Sequence, residues 1–241
     1  MGAVSRSDKI WYLRRHDFLA GLKEAELQEL AERTQMREFQ RGKVILHPDS
    51  RQELVYLIKE GRVKISRYSP DGREQILTFL AAGDLFGELA LIQEREAVHI
   101  EAFEDTLICT MPRTDFAALL ERRPELMLHV IKAMAERLRQ AEEEIADLVF
   151  RDVPGRIAAL LLRLGEEYGE RDPDGQRLTL RLTHQDIASM VGATRETVTT
   201  TLSRFRESAL IATDQRYIII LQPERLRAIS GRRHLSGDSN S

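Results

Sequence analysis

The chain has 241 residues, 42% of them hydrophobic and 31% charged, with a net charge of −3, which is the balance of a globular protein of one or two domains. No run approaches the ~18 apolar residues of a membrane span, and the N-terminus lacks the apolar core of a signal peptide. One cysteine, Cys109, excludes an internal disulfide framework and the four-thiolate cradle of an iron–sulfur cluster. A cytoplasmic protein without membrane contact is expected.

Residues 8–34 read as helical, with Phe18, Leu19 and Leu22, then Leu27, Leu30 and Ala31, at helical spacing. From Arg37 the apolar period falls to two. Short strands are expected at residues 44–46, 54–58, 63–66, 75–79 and 106–109, and Val98, Ile100 and Ala102 alternate as one more inward-facing set. Turn signals at Gly42, Gly61, Pro70 with Gly72, and Gly83 separate them. Short strands at this spacing imply a closed barrel or jelly roll.

Residues 114–122 form a short helix, and Pro124 opens a long one reaching about Phe150. Its apolar residues Met127, Ile131, Met134, Leu138, Ala141, Ile145 and Leu148 alternate spacings of four and three, an uninterrupted heptad seam. The flanks are charged: Glu136, Arg137, Arg139, Glu142, Glu143 and Glu144. A seam this narrow, on roughly 40 Å of helix, fits another helix better than the flank of a globule. A parallel homodimer contact is expected; the competing reading is a core helix lying across the barrel.

Arg151, Asp152 and Val153 form a hinge, and Pro154, as the first residue of a new helix, carries the chain to about Tyr168. Residues 170–176 read as a loop and residues 177–182 as a strand. Residues 183–208 then read as two short helices around a glycine turn. Thr183 caps the first, with Asp186 completing a capping box, and Ile187, Ala188 and Val191 form its apolar side. Gly192 supplies the permissive turn. Thr194 caps a second helix from Arg195, on which Val198, Leu202 and Phe205 recur at helical spacing and face inward.

The opposite face carries Arg195, Glu196, Thr199, Thr200 and Ser203. Such a helix enters the DNA major groove by its N-terminal end, where Arg reads guanine O6 and N7 and Glu accepts from cytosine N4. The competing reading is a helical hairpin with a solvated face. Residues 210–221 make two strands around Asp214 and Gln215, a wing, and a last helix begins near Pro223. Net charge has the sign DNA requires in this part only. Residues 1–152 hold 23 Lys and Arg against 28 Asp and Glu, a net −5, and residues 153–241 hold 13 against 11, a net +2. The fold class expected is α+β, with domains at residues 1–123, 124–151 and 152–230 and a disordered tail at 231–241.

Barrel, long helix, hinge and winged helix-turn-helix, in that order, resemble the cyclic-AMP receptor protein and Fnr family of bacterial transcription regulators. Three stretches carry the resemblance, which covers about residues 16–222. They are Gly83-Asp84-Leu85-Phe86-Gly87-Glu88-Leu89-Ala90-Leu91, Asp152-Val153-Pro154-Gly155-Arg156-Ile157 and Val191-Gly192-Ala193-Thr194-Arg195-Glu196-Thr197-Val198. The resemblance implies a cyclic-nucleotide-binding-like jelly roll, a dimerisation helix and a winged helix-turn-helix. It implies that Arg195 and Glu196 read a G·C-containing half-site of double-stranded DNA while Gln185, Thr194 and Thr197 touch phosphates. Activation through RNA polymerase is implied too, by contacts at residues 170–176. Where the cyclic-AMP receptors carry a second base-reading arginine, this chain has Thr200, which removes a contact worth about 1–3 kcal/mol of discrimination.

In this family Gly87, Glu88 and Leu89 open a short helix against the cyclic phosphate. An Arg-Ser pair before the next strand and a Thr-Ser pair on the long helix complete the site. Strand phase puts Glu96 and Ala97 at the first pair, and Arg95 substitutes only if the loop slips by a residue. Counting from Pro124 puts Ala141 and Glu142 at the second. The expected pocket is therefore Gly87, Glu88, Leu89, Arg95, Ala141 and Glu142, with an effector other than cyclic AMP or none, and with Glu88 alternatively structural inside the barrel. Other family sensors hold haem through His or Cys. None of the histidines His16, His47, His99, His129, His184 and His234 pairs visibly in sequence, and Cys109 reads as a small apolar strand residue. A haem, gas or redox sensing regulator, and a small-molecule-sensing module acting on a protein partner, stay open as alternatives. No nucleophile–base set or metal spacing argues for an enzyme.

Overall fold

The computed structural model describes residues 13, 17–19, 21–48, 50, 51, 53–92 and 98–231. Expectations for Arg95, Glu96, Ala97, His16, His234, residues 8–12 and residues 232–241 lie outside the described residues. The chain divides into two compact units, Met1–Arg139 and Gln140–Ser241, and the division falls inside the long helix.

In the first unit a short 3-10 turn, Asp17–Leu19, precedes α1, Glu24–Arg33. The single helix expected over residues 8–34 is thus interrupted. The Leu22 amide closes the first turn on the Leu19 carbonyl, and the Glu26 carboxylate accepts from the Lys23 amide to start α1 afresh. Among the described residues eight strands follow: β1 Gln35–Phe39, β2 Val44–Leu46, β3 Leu54–Glu60, β4 Arg62–Tyr68, β5 Glu74–Ala81, β6 Leu85–Phe86, β7 His99–Ala102 and β8 Thr106–Pro112. They form two antiparallel four-stranded sheets ordered β1-β8-β3-β6 and β2-β7-β4-β5, the two layers of the jelly roll.

Between the sheets lie Tyr56, Ile58, Val63, Ile65, Leu80, Phe86, Val98, Ile100 and Ile108, with the Tyr56 and Phe86 rings stacked. The outer side of the first sheet is covered too. There Val55, Leu57, Cys109 and Met111 meet Leu27 and Leu30 of α1 and Phe116, Leu119 and Leu120 of α2, Arg113–Arg122. A strand buried on both faces reads as a continuous apolar run, which is why β3 was easy to find. The edge strand β1 was not; Gln-Met-Arg-Glu-Phe is mostly exposed and shows no alternation.

The long helix α3, Pro124–Phe150, has the bounds its periodicity indicated. Its first turns are anchored by Leu126 and Val130, which join the α1–α2 core. The heptad residues point elsewhere. Met127, Ile131, Met134, Ala141 and Leu148 are exposed, and Leu138 and Ile145 are 61% and 62% exposed, so the described residues do not cover the seam.

The second unit takes up the C-terminal part of α3 and, beyond Arg151 and Asp152, continues with α4, Val153–Tyr168. Asp152 caps it by accepting from the Gly155 amide at 2.9 Å, which makes Val153 the first helical residue and moves Pro154 to the second position. The loop expected at residues 170–176 is a hairpin, β9 Gly169–Asp172 and β10 Gly175–Leu178, and the strand expected at residues 177–182 ends at Leu178. The pairing depends on Gly175, where an added Cβ would stand 2.1 Å from the Ile220 carbonyl oxygen. Then come α5 His184–Val191, α6 Arg195–Glu207, β11 Ile211–Asp214, β12 Tyr217–Ile220 and α7 Pro223–Ile229. The sheet order is β11-β12-β10-β9. Ile157, Leu161 and Leu164 of α4, Ile187 and Val191 of α5, and Val198, Leu202 and Phe205 of α6 are buried with Ile218, Ile219 and Ile220. This core fixes which side of α6 remains outside.

Candidate nucleic-acid interface

Two caps and a turn position α5 and α6. The Thr183 hydroxyl accepts from the Asp186 amide at 3.1 Å, and the Asp186 carboxylate accepts from the Thr183 amide at 2.8 Å. These reciprocal bonds satisfy two orphan amides at the start of α5. Gly192 closes α5 in the left-handed region, φ 61°, which favours glycine. The Thr194 hydroxyl then accepts from the Thr197 amide at 3.2 Å to start α6.

With Val198, Leu202 and Phe205 buried, α6 exposes Arg195, Glu196, Thr199 and Thr200 and half-buries Ser203. The side chains of Arg195 and Glu196 form no hydrogen bond or ion pair with the other described residues. Their donors and acceptors are therefore available to a partner. The threonines are committed differently. Thr199, Thr200 and Thr201 each donate their hydroxyl proton to the carbonyl four residues back, at 2.8, 3.1 and 2.9 Å. Thr199 and Thr200 accordingly present methyl groups and oxygen lone pairs outward. Thr200 has no donor left to offer a guanine.

The other expected contacts are near but not all free. Thr194 and Thr197 share a hydroxyl hydrogen bond at 3.0 Å. Gln185 is exposed, its amide 3.4 Å from the Ser189 hydroxyl. Ser203 accepts from Arg206 at 3.0 Å. Sequence reasoning missed two residues on this surface, Arg206 and His184. His184 follows the Thr183 cap directly, and its Nδ1 lies 2.8 Å from the Thr199 hydroxyl oxygen. Burial first, then the guanidinium groups of Arg206 and Arg195, hold its imidazole below the usual histidine range. Its adjacency to the cap was the available signal; the contact across fifteen residues was not.

The wing is tightly turned. Gln215 and Arg216 sit at φ 44° and 74° between the paired Asp214 and Tyr217, a two-residue hairpin loop with both central residues left-handed. The Tyr217 ring lies 4.4 Å from the Arg177 guanidinium and 4.9 Å from that of Arg181. Arg181 also donates to the Tyr217 hydroxyl at 2.6 Å.

In the barrel, Gly87 is left-handed and precedes a short 3-10 helix, Glu88–Leu91. Glu88 is buried and Leu89 half-buried. One Glu88 oxygen accepts from Arg137 at 2.6 Å, while the other is buried without a partner. Arg137 also donates to the Leu85 carbonyl. Glu88 thus pairs with Arg137 on α3, forty-nine positions away in the chain. Nearby Asp84 is pushed up by burial, against the pull of the Ala81 amide and of Arg137. Ala141 and Glu142 are exposed on α3. His47 and His99 do pair, with ring centroids 5.7 Å apart and Tyr68 edge-on to His99. The described residues contain no group of three or more His, Cys, Asp or Glu able to hold a metal ion, and no helix long and apolar enough to cross a membrane.

Residues 155–229 match the Crp-like helix-turn-helix domain and residues 36–123 the cyclic nucleotide-binding domain. The chain is similar to the CRP-like cAMP-activated global transcriptional regulator of Mycobacterium tuberculosis. The two are 33% identical over 215 residues, which is 89% of this chain and 96% of that relative. It is also similar to the global nitrogen regulator of Synechococcus elongatus, 35% identical over 192 residues, 78% of this chain and 86% of the relative. Among solved structures, FixK2 from Bradyrhizobium japonicum shares the fold with a TM-score of 0.74 at 23% identity, covering 83% of this chain and 98% of that one. The outward polar face of α6, the wing, the two domain matches and the likeness to the Mycobacterium tuberculosis regulator lead to one conclusion: the chain belongs to the Crp/Fnr family of DNA-binding transcription regulators, and is not an enzyme.

Proposed function

We propose that the protein acts as a homodimer, two copies joined in parallel along Met127, Ile131, Met134, Leu138, Ala141, Ile145 and Leu148. Each copy reads one half of a pseudo-palindromic site. Arg195 and Glu196 contact base edges, Thr199, Thr200 and Ser203 complete the groove-facing surface, and Gln185, Thr194 and Thr197 grip phosphates. The observation that carries this reading is the two-sidedness of α3. Leu126 and Val130 are buried while the heptad residues beside them are exposed. An apolar row that the described residues leave open calls for a partner, and its regular four-three spacing suits a second identical helix. Two such dimer-held recognition helices would stand about 34 Å apart, one turn of DNA.

The protein works in the cytoplasm and activates transcription by touching RNA polymerase with the β9–β10 hairpin. Its exposed tip occupies the stretch at residues 170–176 where the family resemblance implies such contacts. Its effector is not cyclic AMP, although the Mycobacterium tuberculosis relative is described as cAMP-activated. Glu96 would repel a cyclic phosphate, and Ala97 and Ala141 lack the hydroxyls such a ligand needs. Any effector acts by biasing the α3 seam and the non-helical break at Arg151 and Asp152, and thereby the spacing of the recognition helices.

Selection of bound duplexes from a random pool, with and without candidate effectors, tests the reading. Enrichment of a palindrome with two chains per duplex is expected. Failure to enrich one, or a single chain on the enriched site, would sink the proposal. Calorimetry with cyclic AMP is expected to show no micromolar isotherm; a clear one overturns the pocket argument and leaves the DNA reading standing.

A further inference from the structure

The contact between His184 and Thr199 fixes more than a position. The Thr199 hydroxyl has one proton, and it is donated to the Arg195 carbonyl at 2.8 Å. A hydroxyl that donates to that carbonyl accepts towards His184, the arrangement in which Nδ1, 2.8 Å away, carries the ring hydrogen. In the neutral imidazole Nε2 is then a bare lone pair on the opposite edge of the ring. It has no hydrogen-bond partner among the described residues. The charged groups whose field reaches the ring from α6 are Arg206 and Arg195. Asp186, on the same helix as His184, is committed to the Thr183 amide and hydroxyl. The first helix of a helix-turn-helix crosses the sugar–phosphate backbone, and His184 is the first residue of that helix.

We propose that His184 is a phosphate contact made only on protonation, so that DNA docking takes up one proton per copy from solvent at Nε2. The new N–H donates a charge-assisted hydrogen bond to a phosphate oxygen, while Nδ1–H continues to hold Thr199 in place on the groove-facing surface. Without that proton, the Nε2 lone pair would face phosphate lone pairs. This inference rests on the docking proposed above. In the free protein, burial and the two guanidinium groups keep the ring neutral to lower pH than usual. A phosphate opposes both and raises the bound-state value. The complex thus binds more protons than the free protein, and affinity falls as pH rises between the two values. Below the free-protein value the ring is charged in both states and the dependence flattens.

Fluorescence anisotropy on a selected duplex, at fixed ionic strength from about pH 5.5 to 8 across the histidine range, tests this with wild type, His184→Gln and His184→Arg. The wild type is expected to lose up to about a hundredfold in affinity per pH unit within its window, the limit for two linked protons, one from each copy of the dimer. His184→Gln should bind weakly with that component of the slope gone, and His184→Arg should bind tightly at every pH. At low pH the wild-type salt dependence should exceed that of His184→Gln by about 1.8 in log–log slope, one phosphate contact in each half-site. A flat wild-type profile, or a Gln variant that keeps the wild-type slope, overturns the assignment. So does a nitrogen spectrum showing the Nε2–H tautomer in the neutral free protein. If no duplex is preferred at any pH, the docking reading fails and this inference with it; if a site is preferred but its pH profile ignores residue 184, only the inference fails.

Discussion

Arg195→Ala is expected to erase half-site preference while leaving the protein folded. Arg195 is exposed at the first position of α6 and makes no side-chain bond to the described residues, so its removal opens no cavity and orphans no partner. What disappears is a fork of donors matched to guanine O6 and N7, worth roughly 1–3 kcal/mol per contact. A dimer places the fork in both half-sites. The loss of discrimination should therefore reach about thirty-fold or more, measured as the ratio of affinities for the selected site and for a duplex with both guanines replaced. Sequence-independent binding, carried by phosphate contacts, should persist. An unchanged ratio would mean that α6 does not enter the groove by this end.

The second large effect is expected at the seam. Leu138 lies midway along it and is exposed in the isolated chain, so Leu138→Glu should cost the monomer little. In a parallel pair, however, the two new carboxylates would oppose each other inside an apolar strip and lose their water. Sedimentation should report half the wild-type mass. Affinity for the palindrome should fall by roughly a hundred- to ten-thousand-fold, because each half-site would then be held without the effective concentration that linkage supplies. Thermal unfolding should shift only with the loss of assembly. A dimer that survives Leu138→Glu would place the contact on another surface.

The features that sequence disclosed are those whose partners lie within a few residues. Thr183 and Asp186 are one helical turn apart, Gly192 needs only its own backbone, and the α3 seam repeats within the helix that bears it. Burial of Val198, Leu202 and Phe205 followed from their spacing, because one core covers one side of α6. Features set by distant partners stayed hidden. β10 becomes a strand because Gln176 and Arg177 pair with Ile220 and Ile219 of the wing, and nothing local to residues 170–176 announces it. β1 owes its existence to β8. The motif at residues 83–91 marks Glu88, but its partner Arg137 reads in sequence only as a charged flank of the seam. His184 was grouped with unremarkable histidines because Thr199 lies on the next helix.

The tip of the wing shows what this surface costs the fold. A hairpin loop with two left-handed residues is most stable as Asn-Gly, because side chains beyond Cβ crowd the backbone there. This chain instead keeps Gln215 and Arg216, two long and exposed side chains, in a conformation that penalises both. Replacing them with Asn and Gly would harden the domain against heat and at the same time remove an exposed cation from the wing. Thermal hardening and retention of that charge therefore pull in opposite directions at this turn.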